Sequence, residues 1–275
     1  MEKAKLAILC DFDGTVTKED VGFRIYTRFG DERWLEINKR WRRGEISSRE
    51  CLIGEYSLID ASEQEVKEFI LKMEIDPGFL SIAATCRDNN IPIAIVSDGF
   101  DFYINTVLEK YGLSDIKVFC NELKFNDRKV ELSFPFYEEG CGVCGNCKKL
   151  HVKRLRATSR AIVYVGDGLS DRFASRVSDV IFAKGELMGY LMENNVEFIG
   201  FNDLSDVNRW LIRFLADGAD LKGRSEFADP CQEVEPPGGK NSKKPEKKDS
   251  TKKRRMKKTV GDMGDGRYII YYEWS

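Results

Sequence analysis

The sequence predicts an α/β protein, a doubly wound parallel sheet interrupted by a helical insertion. Three short apolar runs bounded by charge, at residues 5–9 (KLAIL), 91–96 (IPIAIV) and 161–165 (AIVYV), have the composition of buried strands. Stretches with helical periodicity separate them, and strands alternating with helices imply a parallel sheet covered on both faces. Each run also ends in a polar cluster: Asp11 and Asp13 after the first, Ser97 after the second, Asp167 and Asp171 after the third. Ligands bind such sheets beyond the carboxyl ends of the strands, so the same pattern that predicts the fold points to a site.

The first run opens onto Cys10-Asp11-Phe12-Asp13-Gly14-Thr15. Side chains two apart on a strand point the same way. Two acids held side by side repel unless a cation sits between them or one is protonated. Hard divalent cations take carboxylate and carbonyl oxygens, so the pair reads as half of a Mg²⁺ site. Gly14 allows a sharp turn and Thr15 adds a hydroxyl.

Residues 20–71 follow with apolar positions at mixed three and four spacings, the mark of amphipathic helices. Ser62 and Glu65 have the spacing of a capping box, and Asp76-Pro77-Gly78 breaks the pattern. Residues 16–75 are therefore a helical insertion. A helix over 79–89 leads to the second strand and Ser97-Asp98-Gly99. A helix over 102–111 and a strand over 116–120 come next. Residues 123–125 and 130–132 flank a polar turn and predict a hairpin. A cysteine-glycine stretch at 140–147 precedes a basic helix over 150–157. The third strand ends in Gly166-Asp167-Gly168-Leu169-Ser170-Asp171. Strands over 180–183 and 196–201 alternate with a helix, and a helix over 205–215 closes the fold. The expected division is a core of 1–15 and 76–216, an insertion of 16–75 and a tail of 217–275.

The 275 residues are 42% hydrophobic with a net charge of -2, enough for a sizeable core. No apolar stretch is long enough to span a bilayer or to act as a leader, so the expected compartment is the cytoplasm. Charge is uneven: residues 240–258 hold 11 basic and 2 acidic side chains. Pro236-Pro237-Gly238-Gly239 and the lysine runs after it cannot bury a core, and the tail is expected to be disordered. The run 240–258 is either a solvating tail or a contact for nucleic acid or another acidic surface. Residues 268–272 (YIIYY) have strand composition but no assignable place.

Eight clustered cysteines in such a chain suggest thiols or metal ligands rather than disulfides. Cys141, Cys144 and Cys147 have the spacing of soft-metal ligands, and His151 or Cys120 could complete a tetrahedral Zn²⁺ site. The competing reading is a loop of reduced thiols or a redox pair. Cys10 and Cys86 sit in apolar surroundings and read as core.

Asp11-Phe12-Asp13-Gly14-Thr15, Ser97 after a strand, Lys148 and Gly166-Asp167-Gly168-Leu169-Ser170-Asp171 together resemble the four motifs of the haloacid dehalogenase (HAD) superfamily. The insertion and the 123–132 hairpin are similar to the phosphoserine-phosphatase-like branch, subfamily IB. Cys144-Gly145-Asn146-Cys147-Lys148 resembles the phosphatases of methionine salvage, which act on a methylthio-keto-pentenyl phosphate. The resemblance implies a Rossmann-like HAD core with a helical C1 cap. It also implies a Mg²⁺-dependent phosphatase of a small phosphorylated metabolite, such as 2-hydroxy-3-keto-5-methylthiopentenyl-1-phosphate.

By resemblance Asp11 is the nucleophile that forms an aspartyl-phosphate, and Asp13 is the acid and base. Lys148 neutralises the phosphoryl group, with Lys149 and Lys153 as rivals. Thr15, Ser97, Asp98 and Gly99 hold phosphate oxygens. Asp11, the Asp13 carbonyl and Asp167 hold Mg²⁺, while Asp171 orients Lys148 and metal-bound water. A phosphoserine phosphatase is the runner-up. Against it, Asp20 falls where that branch has a glutamate and Glu55 where it has a carboxylate-binding arginine; Arg49 serves if the register shifts. A third reading is an inactive binding module built on a zinc cluster and a basic tail. Such a module has no need of Asp13.

Overall fold

Alternation along the first strand sets up packing on two faces. The computed structural model describes residues 4–218, 221, 256–262 and 268–274. In β1 (Ala4–Cys10), Leu6, Ile8 and Cys10 enter one apolar cluster while Ala7 and Leu9 enter another. A strand apolar on both sides belongs in the middle of a covered parallel sheet. β1 lies there, paired in parallel with β2 (Ile93–Phe100), Ile8 opposite Ile93, and with β5 (Ser159–Gly166), Ile8 opposite Val163.

The remaining strands are β3 (Lys117–Asn126), β4 (Lys129–Ser133), β6 (Val180–Ala183), β7 (Phe198–Gly200), β8 (Met256–Asp262) and β9 (Tyr268–Trp274). Their order across the sheet is β4-β3-β2-β1-β5-β6-β7-β9-β8. From β1 the chain builds outward through β2 and β3, then returns to lay β5, β6 and β7 on the other side, all in parallel. The reversal beside β1 leaves a crevice at the carboxyl ends of β1 and β5.

Four helices form the insertion: α1 (Val21–Phe29), α2 (Trp34–Arg42), α3 (Ser48–Tyr56) and α4 (Glu63–Ile70). Asp20 caps α1 by accepting from Phe23 N at 2.7 Å, and reciprocal Ser47/Glu50 and Ser62/Glu65 capping boxes open α3 and α4. The insertion's Val21, Ile25, Tyr56, Ile59, Val66 and Ile70 belong to the same apolar cluster as one face of the sheet. That face is covered by α5 (Pro77–Asp88), α6 (Asp101–Lys110) and a closing helix, α10 (Leu204–Ala216), through Phe79, Ile82, Ile104 and Phe214. The other face is covered by α7 (Lys148–Arg156) and α8 (Arg172–Arg176) through Val152 and Ala174. Helices α9 (Gly185–Glu193) and α10 (Leu204–Ala216) complete the described set. Asp76 ties α5 to α10, accepting from Gly78 N at 2.8 Å and Leu204 N at 3.0 Å. Among the described residues no helix is long and apolar enough to cross a membrane.

Two features differ from the sequence expectation. β2 does not stop at Val96. It runs through Ser97-Asp98-Gly99 to Phe100, with a register shift between Val96 and Phe100, because Phe100 pairs with Asn121 of β3. The expected disorder over 217–275 also fails at its far end. β9 pairs antiparallel with β7, Ile199 opposite Tyr271, and β8 pairs with β9. The basic run 240–258 lies outside the described residues apart from the backbone of 256–258 in β8.

Candidate active site

The crevice is a cavity of about 450 Å³, walled on one side by strand ends and on the other by the insertion. Asp11 follows β1 and is 4% exposed. Its Oδ1 accepts from Lys148 Nζ at 2.6 Å and from Phe12 N at 2.8 Å. Asp13 accepts twice on each oxygen. Val21 N (2.9 Å) and Gly22 N (3.2 Å), in the first turn of α1, donate to Oδ1; Tyr103 OH (2.7 Å) and Ser97 Oγ (3.2 Å) donate to Oδ2. Ser97 Oγ in turn accepts from Gly99 N at 2.8 Å. A side chain at position 99 would run into Tyr103 OH at 1.6 Å, so only glycine leaves room for that hydroxyl. Gly14, at φ +75°, likewise brings the backbone against Asp167, where a Cβ would lie 2.6 Å from Oδ2.

Lys148 opens α7 and donates to three groups: Asp11 Oδ1 at 2.6 Å, Asp171 Oδ1 at 2.7 Å and Ser170 Oγ at 2.9 Å. Burial acts to lower its pKa, but the attraction of Asp11, Asp171 and Asp98 outweighs this and raises it, so Lys148 stays an ammonium. Lys149 and Lys153 lie further along the helix, half-buried and exposed respectively. Both oxygens of Asp171 are committed: Oδ1 to Lys148 and Tyr164 OH (2.6 Å), Oδ2 to Asp167 N and Gly168 N (3.1 Å each). Asp171 thus positions the lysine and the turn after β5.

Asp11, Asp167 and Asp171 bring one carboxylate oxygen each within 4.8 Å of one another. Burial first, then the nearby Asp171 charge, raises the Asp11 pKa well above the usual carboxylate range. Burial likewise pushes Asp167 up to about 6, opposed by its bond from Thr15. Crowded, buried, oxygen-only donors of this kind suit a hard divalent cation such as Mg²⁺. Burial also raises Asp13, while its bonds from Tyr103, Gly22 and Ser97 pull the other way.

Of the expected site residues, Asp11, Asp13, Ser97, Asp98, Gly99, Lys148 and Asp167 line one cavity. Thr15 does not. It is fully buried and donates to Asp167 Oδ1 at 2.6 Å, so its hydroxyl holds an acid in place of a phosphate oxygen. Among the described residues the three-ligand group is that of Asp11, Asp167 and Asp171, and the zinc reading of Cys141, Cys144, Cys147 and His151 has no support there. Cys147 packs against Phe173 with Cys141, Cys144 and Leu150 around it, and Cys120 belongs to the main core. His151 is stacked on Phe119 and meets Asn146 Oδ1 through Nε2 at 2.7 Å. Burial, then Arg154 and Lys117, lower its pKa to about 3, so it is neutral and Nε2–H donates to the amide oxygen.

Residue types and spacing did not reveal four participants: Tyr103, Tyr164, Asn146 and the hydroxyl of Ser170. Asn146 Nδ2 donates to Ser97 O (2.9 Å) and Phe119 O (2.8 Å), and its main-chain N donates to Asp98 Oδ1 (3.1 Å). Its one sequence signal was its place inside the cysteine-glycine run, two residues before Lys148. In the insertion, Asp20 is open to the cavity and Glu55 lines it while buried. Arg49 instead lies over the rings of Phe134 (5.1 Å) and Tyr137 (4.6 Å).

A family model described as haloacid dehalogenase-like hydrolase matches residues 8–176. The 2-hydroxy-3-keto-5-methylthiopentenyl-1-phosphate phosphatase of Bacillus velezensis is 31% identical over 204 residues, which is 73% of this chain and 87% of that protein. A bifunctional enzyme MtnB/MtnX of Bacillus licheniformis is 32% identical over 211 residues, 75% of this chain; the chain spans 49% of that longer relative. A solved phospho-aspartyl intermediate analogue of phosphoserine phosphatase superposes with a TM-score of 0.58 at 22% identity, over 76% of this chain and 99% of that one. A phosphoserine phosphohydrolase-like protein from Francisella tularensis gives 0.56 at 18% identity, over 77% and 100%. These structural likenesses are of fold.

Proposed function

The chain belongs to the haloacid dehalogenase-like hydrolase family, and on that premise we propose that it hydrolyses a small phosphorylated metabolite through a phosphorylated Asp11. The observation that carries the reading is Lys148, a buried ammonium joined to Asp11 at 2.6 Å beside acids that converge within 4.8 Å. Asp11 Oδ1 is held by Lys148 and Phe12 N, so Oδ2 is the oxygen to attack phosphorus. Lys148 offsets the charge of the nucleophile and of the incoming phosphoryl group. Asp13, raised by burial, carries the proton to the leaving oxygen and then takes one from the water that opens the aspartyl-phosphate. Ser97 and the backbone around Gly99 hold phosphate oxygens.

Mg²⁺ is the proposed metal. Asp11, Asp167 and the Asp13 carbonyl would hold it, and it would neutralise phosphate charge that otherwise repels Asp11. The relatives' printed substrate, 2-hydroxy-3-keto-5-methylthiopentenyl-1-phosphate, is the first to assay. The setting proposed is the reducing cytoplasm, in keeping with the buried thiols of Cys10, Cys51, Cys86 and Cys120.

Hydrolysis of para-nitrophenyl phosphate with and without Mg²⁺ tests the reading. Asp11→Asn is expected to lose about three or more powers of ten in turnover with its circular dichroism unchanged, since the nucleophile goes and the shape stays. Near-normal turnover in that variant would overturn the mechanism.

A further inference from the structure

On the insertion side of the cavity, Glu55 of α3 is 4% exposed yet lines the space. Three donors within the insertion fix it: Asn38 Nδ2 at 3.2 Å, the Tyr26 hydroxyl and the Cys51 thiol. A carboxylate has about four lone-pair directions, so Glu55 is held rigid and still accepts one bond more. Its neighbour Tyr56 is 1% exposed, lines the same cavity, and its hydroxyl is buried without a hydrogen-bond partner. A buried hydroxyl with nothing to bond is the mark of a place where a ligand's polar group fits. Asp20 stands open to the cavity on the same side.

The cations do not offset these acids. Among the lining residues they are Lys148, bound to Asp11 and Asp171, and Arg42, whose guanidinium already donates to Glu186 Oε1 at 2.9 Å and Asn38 Oδ1 at 3.1 Å. Burial already raises the pKa of Glu55 and pushes Asp20 up to about 7, so a third carboxylate delivered here would add like charge to a site that disfavours it, with no free countercharge. A ligand hydroxyl would donate to Glu55 or to Asp20 and accept from Tyr56, whose own hydroxyl lies with Asp20 Oδ1 and Tyr103 OH around Gly22.

We propose that Glu55, with Tyr56, is the specificity determinant of the cavity: it admits phosphomonoesters whose organic end carries hydroxyl donors and rejects those ending in a carboxylate. This rests on the phosphatase reading for the placement of the phosphate, and it goes further by naming which organic end fits. It also excludes phosphoserine and phosphoglycerate as substrates.

The test compares glycerol 3-phosphate with 3-phosphoglycerate, which differ only in a terminal hydroxymethyl or carboxylate. Calorimetry with Mg²⁺ on Asp11→Asn protein reads binding without turnover. Glycerol 3-phosphate is expected to bind at least about tenfold more tightly. Adding Glu55→Gln, which keeps the shape and removes the charge, is expected to shrink that preference to about threefold or less. Inorganic phosphate, too small to touch Glu55, is expected to bind both proteins alike. Equal affinity for the two esters in Asp11→Asn protein overturns the proposal, and this comparison stands even if the double variant does not fold. So does a preference that survives Glu55→Gln, or a parallel loss of phosphate affinity, which would make Glu55 a structural residue. Absence of para-nitrophenyl phosphate hydrolysis by the wild type would sink the phosphatase reading separately, because the binding ratio does not depend on it.

Discussion

Asp13 accepts four hydrogen bonds, two from α1 and two from the core side of the cavity. All four favour its ionised form, while burial favours the neutral one. The balance lets one carboxyl act as acid in the first half-reaction and base in the second. Tyr103 supplies the shortest of the four bonds. Tyr103→Phe removes a contact that lowers the Asp13 pKa, so the pKa moves further up. The limb of the kcat profile that rises as Asp13 ionises is expected to move to higher pH by about one unit. A pH series on para-nitrophenyl phosphate reads it directly, and a limb that stays in place would mean that Asp13 is not the titrating group. Tyr103 was invisible in the sequence because its role depends on Gly99, which clears the space its hydroxyl occupies. The convergence of Asp11, Asp13 and Asp167 was legible, since all three stand at strand ends, whereas Lys148, which opens α7, came from the resemblance.

At the scale of elements, the site depends on holding the carboxyl ends of β2 and β3 together beside α7. Asn146 does this with one amide, which donates to Ser97 O of β2 and Phe119 O of β3 while His151 of α7 donates to its oxygen. Asn146→Ala leaves two buried carbonyls and one buried N–H unpaired. At about 1–3 kcal/mol for each stranded group, and with incomplete additivity, the expected loss is about 3–5 kcal/mol in urea unfolding. A loss below about 1 kcal/mol would show that water or a backbone shift replaces the amide. The role of Asn146 was not legible in the same segment. Three cysteines and a histidine drew the reading to their own spacing, and spacing along the chain is blind to partners 27 and 49 residues away. Those partners tie the loop to β2 and β3 through one amide.

Over the whole molecule the sheet separates the chemistry from the far strands. The crevice lies at β1 and β5, whereas β9 and β8 add beyond β6 and β7 at the opposite edge from β4. The central strands were legible because parallel strands buried on both faces read as continuous apolar runs. The outer pair was not: strand composition at 268–272 says nothing about which edge accepts it, and the lysine-rich stretch before it argued for disorder. Backbone pairing with β7 supplies the missing information, through Phe198, Ile199 and Gly200 opposite Tyr272, Tyr271 and Ile270. Deleting residues 219–275 should therefore leave the crevice intact and expose β7 as a three-residue edge. Turnover of para-nitrophenyl phosphate is expected to stay within about twofold, because no group described in the site comes from the deleted stretch. Self-association, read by light scattering, is expected to rise, since an unpaired edge offers its N–H and C=O groups to another chain. A loss of turnover beyond about tenfold in soluble, folded protein would mean that the far strands reach the site through the sheet, contrary to its separation into a catalytic centre and a distant edge.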